Sequence, residues 1–321
     1  MSSNNIETIT HTASGSQCQI HLYGATVLSF TTKTTDNDTR NHLFVSKHAK
    51  LDGSIPIRGG IPICFPIFGP APDQIDLPQH GFARRNLWTI VPDRSYNHET
   101  AAGRTLRLNL AEHVTEGRGS DDNVHNPWSR RSCDKDGTDC TLLYEVRVEA
   151  KQLTTTLIIQ NTGKDSFHFN ALLHTYYAVD QHAATDSSKT HITGLGGYAI
   201  TDKVTGDSGH VQSYDDPVVL QGEVDRIYIH PEDHPVVHAK IATGTTAPMI
   251  RLEAAGQVNE QVAPVSCVVW NPSKDKATAM ADFGNDEYHD MVCVEPGLLG
   301  HQPLLEPGHE ARLTQSIIVI S

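Results

Sequence analysis

The sequence lacks the features that define several classes of protein. Its six cysteines have no CxxC spacing, and most of them lie in apolar, strand-like contexts, which favours buried free thiols. No apolar stretch approaches the roughly 18 residues that a membrane-spanning helix needs, and neither a P-loop nor a GxSxG elbow is present. The N-terminal residues show no basic segment followed by an apolar run, so no secretory signal is predicted and a cytoplasmic protein is expected.

Basic residues are also scarce. The chain has 25 Lys and Arg against 38 Asp and Glu, which gives a formal net charge of -13. This balance argues against non-specific binding of nucleic acid, which needs a broad basic surface, and against docking on an anionic membrane. Any anion site must therefore be local, built from a few arginines that folding brings together. The partner expected for such a site is a small molecule.

Long segments of helical periodicity are missing as well, so a parallel sheet built from βαβ units is not expected. The chain contains short alternating runs bounded by Pro, Gly or Asn, for example at 105–110, 144–150 and 153–163. These runs predict an all-β protein, a large antiparallel β-sandwich with residues 1–321 in a single domain. The polar segment 115–140 interrupts the pattern and predicts a long surface insertion.

Arg58 lies in an unusual context, the stretch "IPIRGGIPICFPIFGPAP" at residues 55–72. Pro and Gly interrupt regular ladders, while the apolar residues favour burial, so a buried and irregular loop wall is predicted. An arginine in such a wall needs an anionic partner, because a buried charge without one is costly. That partner is either a ligand or a carboxylate elsewhere in the chain, and the residues alone slightly favour the carboxylate.

A second cationic element is "LPQHGFARRNLW", residues 77–88. The planar guanidinium of Arg can bind phosphate through two parallel hydrogen bonds, so Arg84 together with Arg58 would make a phosphate clamp. Gln79 could bind sugar hydroxyls, and His80 could be structural. The alternative is a solvated charged turn. That reading is preferred for Arg85, because neighbouring side chains of an extended segment point to opposite sides.

Three further residues could carry chemistry. His174 lies in the apolar run "FNALLHTYYAVD", where a histidine is more often a hydrogen-bonded core residue than a catalyst. Glu295 follows the apolar "MVCV", where partial burial would raise its pKa toward the range of a general base. The alternative for Glu295 is a solvent-exposed strand end. Asp225, in "GEVDRIYIH", either forms a simple turn or accepts hydrogen bonds from a polyol.

Taken together, these segments resemble the glucose-6-phosphate 1-epimerase (hexose-6-phosphate mutarotase) family, a branch of the aldose 1-epimerase-like proteins. The resembling blocks occur in order over about residues 55–297: "IRGGIPICFPIFG", "LPQHGFARRNLW", "NALLHTYYAVD", "GEVDRIY", "VVWNP" and "MADFGNDEYHDMVCVEPG". The resemblance implies a β-sandwich of the galactose mutarotase type with no metal and no organic cofactor. By match to the family's motifs, the residues expected to be catalytic are His174 and Glu295, and those expected to bind substrate are Arg58, Gln79, Arg84 and Asp225.

The chemistry implied is the interconversion of sugar anomers by opening and closing of the ring. Glu295 is expected to act as the base and His174 as the acid, which requires an ionised Glu295 and a protonated His174 at the start. Arg84 and Arg58 are expected to face the 6-phosphate of the sugar, in a protein that works as a monomer. The alternatives are a mutarotase for unphosphorylated sugars and a non-catalytic sandwich that binds hexose phosphates.

Overall fold

Antiparallel strand pairing dominates the fold. The structure is a computed structural model that describes residues 5–34, 38–72, 75–109, 139–231, 234–300 and 302–320. The neighbouring strands of its sheets all pair antiparallel within these ranges, as predicted. Strands are numbered β1 to β24 in chain order. No helix among the described residues is long and apolar enough to cross a membrane.

A ten-stranded sheet forms one side of the sandwich. Its strands are β6 (Thr89–Ile90), β7 (Tyr96–Asn97), β8 (Ala102–Asn109), β9 (Cys140–Val148), β10 (Gln152–Asn161), β14 (Thr190–Thr193), β18 (Val237–Thr243), β19 (Met249–Val258), β20 (Gln261–Ala263) and β24 (Glu310–Ile320). The main path runs β14-β18-β19-β24-β10-β9-β8-β6. Buried and less buried residues alternate strictly along β19 and β24, so one face of this sheet packs on the core and the other faces solvent.

An eight-stranded sheet forms the other side. Its strands are β5 (Ile63–Cys64), β12 (Ala171–Leu173), β13 (Tyr176–Ala178), β15 (Ala199–Asp202), β16 (Ser208–Val211), β17 (Val224–Ile229), β21 (Ser266–Asn271) and β22 (Met291–Leu298). The path runs β16-β15-β17-β21-β22-β12-β5, and β13 also pairs with β22. Every residue of β21 and β22 is buried, so both faces of the sheet are covered at its centre.

The smaller elements close the ends of the sandwich. A four-stranded sheet consists of β1 (Ile6–Thr10), β2 (Gln17–His21), β3 (Thr26–Lys33) and β4 (Thr39–Asn41), and β11 (Phe167–His168) pairs with β23 (Leu304–Leu305). The helical elements among the described residues are one short α-helix, α1 (Ser273–Ala279), and the 3-10 helices Ala83–Arg85, Pro92–Arg94 and Glu287–Asp290.

Two apolar clusters account for the burial of the eight-stranded sheet. The main core lies between the large sheets and takes Val292 and Val294 from β22. A second cluster covers the opposite face of that sheet and takes Met291 and Cys293 from the same strand. Because side chains alternate along a strand, Glu295 lies on the face of the second cluster, away from the main core.

The segment predictions hold with two local corrections. The run at 144–150 ends as a strand at Val148, and Ala150 is exposed in the turn to β10 rather than buried. Leu110 and most of the predicted insertion, residues 115–138, lie outside the described residues. The last residue of that insertion, Cys140, is buried in β9 and was wrongly assigned to the surface. The prediction of buried free thiols is confirmed for Cys18, Cys64, Cys267 and Cys293, and Cys140 is a buried free thiol as well.

Candidate active site

All six residues that the sequence predicted for the site line one cavity of about 270 Å³, on the face of the eight-stranded sheet covered by the second cluster. They are Arg58, Gln79, Arg84, His174, Asp225 and Glu295. The cavity is also lined by residues that the prediction did not assign to the site: Phe68, His80, Lys203, Val268, Trp270, Lys276 and Met280. Residues separated by more than 200 positions in the sequence therefore meet at one concave surface.

Glu295 is the most deeply buried charged residue of this cavity, with 1% of its surface exposed. It lies within β22, opposite Val268 of β21, and is not at an exposed strand end. Neither carboxylate oxygen has a hydrogen-bond partner among the described residues. Burial raises the pKa of Glu295 well above its usual value, and the nearby Asp225 raises it further, while the cations Lys203 and Arg84 act in the opposite direction.

His174 follows β12 and is held rigidly beside Glu295. Its backbone N–H donates to the carbonyl oxygen of Pro62 at 2.9 Å, and its ring stacks on Tyr176 with 4.7 Å between the ring centroids. Nδ1 of His174 lies 3.3 Å from Oε1 of Glu295, although the two atoms are not aligned as a hydrogen bond. Burial lowers the pKa of His174 well below its usual value, and the nearby cations Arg84 and Arg58 lower it further.

The directions of these two pKa shifts favour the uncharged form of each group, a protonated carboxyl for Glu295 and a neutral imidazole for His174. The sequence led to the opposite expectation, an ionised Glu295 and a protonated His174. Both forms carry one proton on the pair and differ only in where it is located. The reason for the difference is the depth of burial, which penalises a carboxylate and an imidazolium together.

Arg84 is a cation without a carboxylate partner among the described residues. It lies in the 3-10 helix Ala83–Arg85, which follows Gly81, a residue with φ +74° whose backbone packs directly against the carbonyl of Phe65. Nη2 of Arg84 donates to the carbonyl oxygen of Gln79 at 3.0 Å, whereas its buried Nε has no hydrogen-bond partner. Burial lowers the pKa of Arg84, so an anion in the cavity would relieve a desolvated charge.

Arg58 differs from Arg84 because it is already paired. Nε and Nη2 of Arg58 donate to the two carboxylate oxygens of Asp282 at 3.1 and 3.2 Å, and Nη1 approaches the hydroxyl of Tyr176 at 3.4 Å. Burial acts to lower the pKa of Arg58, but Tyr176 and Asp282 outweigh it and raise the pKa. The carboxylate alternative considered for Arg58 is therefore correct, although the side chain also reaches the cavity.

Arg85 was predicted to be a solvated residue, and it is exposed and does not line the cavity that contains Glu295. The assumption of an extended segment behind that prediction was wrong. Residues 83–85 form a 3-10 helix and not an extended segment, so adjacent side chains are no longer on opposite sides. Both arginines line a second cavity of about 320 Å³, which also contains Lys50 and Asp282. The two cavities share Arg58, Gln79 and Arg84 as a common wall.

Two lysines that the sequence analysis did not select lie close to Asp225 of β17. Nζ of Lys203 lies 3.5 Å from Oδ1 of Asp225, and Nζ of Lys276 lies 3.9 Å from Oδ2. Lys203 is also 5.0 Å from the ring centroid of Phe68, a cation–π contact. Asp225 is thus a hydrogen-bond acceptor at the cavity wall, with cations from a turn and from α1 close to its side chain.

His80 has a structural contact, as proposed from the sequence, and also lines the cavity. Its Nδ1 accepts the backbone N–H of Gly69 at 3.1 Å, which ties the turn at residues 78–81 to the preceding loop. Burial, together with Arg84 and Lys203, lowers the pKa of His80 to about 3, so this ring is neutral at physiological pH. It therefore adds no positive charge next to His174.

Comparison with known proteins assigns the family. The profile of the family described as Aldose 1-epimerase matches residues 7–118 and 129–317. The chain belongs to the aldose 1-epimerase family, and its activity is that of an epimerase, or mutarotase.

Two curated relatives are similar over most of the chain. A protein of Escherichia coli (strain K12) named "Putative glucose-6-phosphate 1-epimerase" is 30% identical over 277 residues, which cover 86% of this chain and 79% of that protein. A protein of Cenchrus ciliaris with the same name is 31% identical over 304 residues, covering 92% of this chain and 78% of that protein.

Solved structures share the fold. A structure described as a "putative mutarotase" from Salmonella typhimurium superposes with a TM-score of 0.72 at 24% identity, covering 100% of this chain and 92% of that one. A galactose mutarotase related enzyme from Lactobacillus acidophilus gives a TM-score of 0.64 at 13% identity, covering 98% and 97%. The predicted antiparallel sandwich of the galactose mutarotase type is therefore confirmed.

Proposed function

We propose that this chain interconverts the α and β anomers of a hexose 6-phosphate, with glucose 6-phosphate as the expected substrate. The observation that carries the proposal is a buried acid–base pair beside an arginine that lacks a carboxylate partner among the described residues. His174 and Glu295 lie 3.3 Å apart, and Arg84 lines the same cavity. The names of the two curated relatives support the same substrate class. Action as a monomer on one small sugar phosphate remains a prediction.

Ring opening requires two proton transfers. A base takes the proton of the C1 hydroxyl, the C1–O5 bond breaks as the C1 carbonyl forms, and an acid protonates O5. After rotation about C1–C2 the same groups reverse their roles, and the ring closes on the other face. The total number of protons on the pair is unchanged, so one shared proton on His174 and Glu295 is sufficient. Each proton-transfer group typically contributes roughly 10²–10⁴-fold to the rate.

Substrate binding supplies the charge distribution that the reaction needs. Both oxygens of Glu295 are without partners among the described residues, so sugar hydroxyls can donate to them. Hydrogen bonds to the ionised form lower the pKa of a carboxyl group, which moves the shared proton toward His174. Glu295 then acts as the base and His174 as the acid. Asp225, an acceptor fixed by Lys203, binds a further hydroxyl.

The phosphate group binds at the wall that the two cavities share, which is formed by Arg58, Gln79 and Arg84. Arg84 supplies donors there that no carboxylate engages among the described residues, and Arg58 contributes from its pair with Asp282. Arg85 and Lys50, on the far side of the shared wall, add positive charge at longer range. An unphosphorylated sugar would leave Arg84 desolvated and without an anion, which disfavours that substrate class.

The test is anomer exchange measured by NMR magnetisation transfer, with glucose 6-phosphate, glucose and galactose in parallel. We expect faster exchange of the phosphate ester, abolished in Glu295→Gln while binding of the ester is largely retained. The exposed Glu306, outside both cavities, provides the matched control Glu306→Gln, which should retain full activity.

Other outcomes contradict specific parts of the proposal. Equal acceleration of the free sugars would preserve the acid–base pair and refute the phosphate assignment. Acceleration of no sugar would refute catalysis. Binding of the ester by a catalytically inert wild type would then favour a non-catalytic sandwich that senses hexose phosphate.

A further inference from the structure

Cys293 lies directly beside the acid–base pair and has no part in the proposed reaction. It precedes Glu295 by two positions in β22, so both side chains emerge on the same face of the sheet. Its thiol is fully buried, opposite Tyr176 of β13 and Trp270 of β21. Ligand atoms of His174, Cys293 and Glu295 all lie within 4.8 Å of one another.

The three donor types and their spacing match a known preference. Imidazole nitrogen, thiolate sulfur and carboxylate oxygen are the ligands that Zn²⁺ takes in proteins. With Zn–N and Zn–O bonds of about 2.0–2.1 Å, a tetrahedral site separates its nitrogen and oxygen ligands by about 3.3 Å. The distance from Nδ1 of His174 to Oε1 of Glu295 is 3.3 Å. The sulfur of Cys293 lies within 4.8 Å of ligand atoms of both residues and offers the third ligand.

A second observation indicates a ligand at this point. Nδ1 of His174 and both carboxylate oxygens of Glu295 are buried without a hydrogen-bond partner among the described residues. Buried polar atoms are normally satisfied, so atoms left unpaired beside a cavity are available for coordination. The cavity provides room for a fourth ligand, a water molecule.

We propose that His174, Cys293 and Glu295 form an inhibitory site for Zn²⁺. One Zn²⁺ ion with two anionic ligands, the thiolate and the carboxylate, and a neutral imidazole has no net charge, which suits a buried location. Coordination displaces the thiol proton of Cys293 and the proton shared by His174 and Glu295, so two protons enter the solvent for each ion bound. The bound ion removes both proton-transfer groups from the reaction and stops anomer exchange.

The binding experiment uses the full chain and does not depend on its activity. Chelator-treated protein is titrated with Zn²⁺ by calorimetry in two buffers of different ionisation enthalpy, and with Co²⁺ by absorption spectroscopy. We expect one site, two protons released, and a thiolate-to-cobalt charge-transfer band. In Cys293→Ala the band should vanish and the dissociation constant for Zn²⁺ should rise at least about tenfold. Cys293→Ser provides a second variant if the first does not fold.

Cys267 offers a matched control on the adjacent strand. It is equally buried in β21, but it belongs to the main core between the sheets and not to the cluster beside the cavity. Cys267→Ala should retain the cobalt band and the affinity for Zn²⁺. Three outcomes would overturn the proposal. The first is loss of the cobalt band and of the affinity for Zn²⁺ in both Cys267→Ala and Cys293→Ala. The others are an unchanged affinity for Zn²⁺ in Cys293→Ala and the absence of a cobalt band in the wild type.

Measurements of anomer exchange distinguish a failure of the zinc proposal from a failure of the proposed function. Wild type in chelator reports the epimerase activity regardless of metal, so activity that Zn²⁺ does not inhibit would refute only the inhibitory site. Binding of Zn²⁺ at Cys293 by a protein that accelerates no sugar would support the metal site and refute the catalytic proposal. If both proposals hold, Zn²⁺ abolishes exchange and excess chelator restores it.

Discussion

Arg84→Ala should reduce the activity on a phosphorylated sugar much more than the activity on an unphosphorylated one. The guanidinium of Arg84 uses Nη2 for the carbonyl of Gln79, and its Nε remains without a partner among the described residues. A phosphate in the cavity can therefore gain about two charge-assisted hydrogen bonds from this side chain.

The magnitude follows from the number of hydrogen bonds. At about 1.5 kcal/mol for each bond to a charged group, the loss is about 3 kcal/mol. This corresponds to a decrease of roughly 150-fold in kcat/KM for glucose 6-phosphate. Any activity on free glucose should fall by less than about tenfold, because it retains the acid–base pair and loses only the effect of Arg84 on the pKa of Glu295.

The assay is magnetisation transfer with both sugars at several concentrations. Arg107→Ala is the control, because it removes one positive charge from an exposed position of β8 outside both cavities. An equal loss with glucose and glucose 6-phosphate would mean that the variant disrupts the turn rather than phosphate binding. A loss of less than about threefold with glucose 6-phosphate would refute the role of Arg84.

Three further predictions concern charge, pH and backbone conformation. The double variant with Arg85→Ala and Lys50→Ala should lower kcat/KM for glucose 6-phosphate several-fold at low ionic strength. It should have little effect in 0.5 M salt, because salt at such concentrations screens exposed charges within about 3–10 Å. The pKa of Glu295 is raised in the folded state, so this carboxyl contributes stability below pH 4.5 that is lost as pH rises toward the folded pKa, while the lowered pKa of His174 acts in the opposite direction up to pH 6.5. Relative to wild type, Glu295→Gln should therefore gain up to about 1.4 kcal/mol of unfolding free energy per pH unit as the pH rises through that window. Urea denaturation of both proteins at several pH values measures this difference, and a difference independent of pH would contradict the prediction. Gly81→Ala should lower the unfolding free energy by at least about 2 kcal/mol, since its φ is +74° and a Cβ would overlap the carbonyl of Phe65, whereas the unconstrained Gly300→Ala should change it little.

Much of the fold could be predicted from the sequence because strand alternation is a local signal. The runs that became β8, β9 and β10 carry this signal over eight to ten residues. Errors arose at element ends and in short helical turns. The single 3-10 turn at Ala83–Arg85 is too short to give a periodic pattern, so the segment was wrongly expected to be extended.

The candidate site was found through motif resemblance, and its electrostatics were not predictable in this way. The partner of Arg58 is Asp282, 224 positions away, and nothing in the sequence near either residue indicates the pair. Lys203 lies in an ordinary polar turn and Lys276 in a polar helix, so only the folded chain shows that both surround Asp225. The position of the shared proton likewise depends on how deeply β22 is buried, which is a tertiary property.

The location of Glu295 on a central strand also determines how the enzyme should lose its activity on heating. β22 is hydrogen-bonded to β21 on one side and to β12 and β13 on the other, and both of its faces are covered. Elements of this kind open only when the whole domain unfolds, whereas loops and edge strands open locally at lower cost. Thermal inactivation should therefore coincide with global unfolding rather than precede it. The backbone amides of residues 291–298 should be among the slowest in the chain to exchange with deuterium.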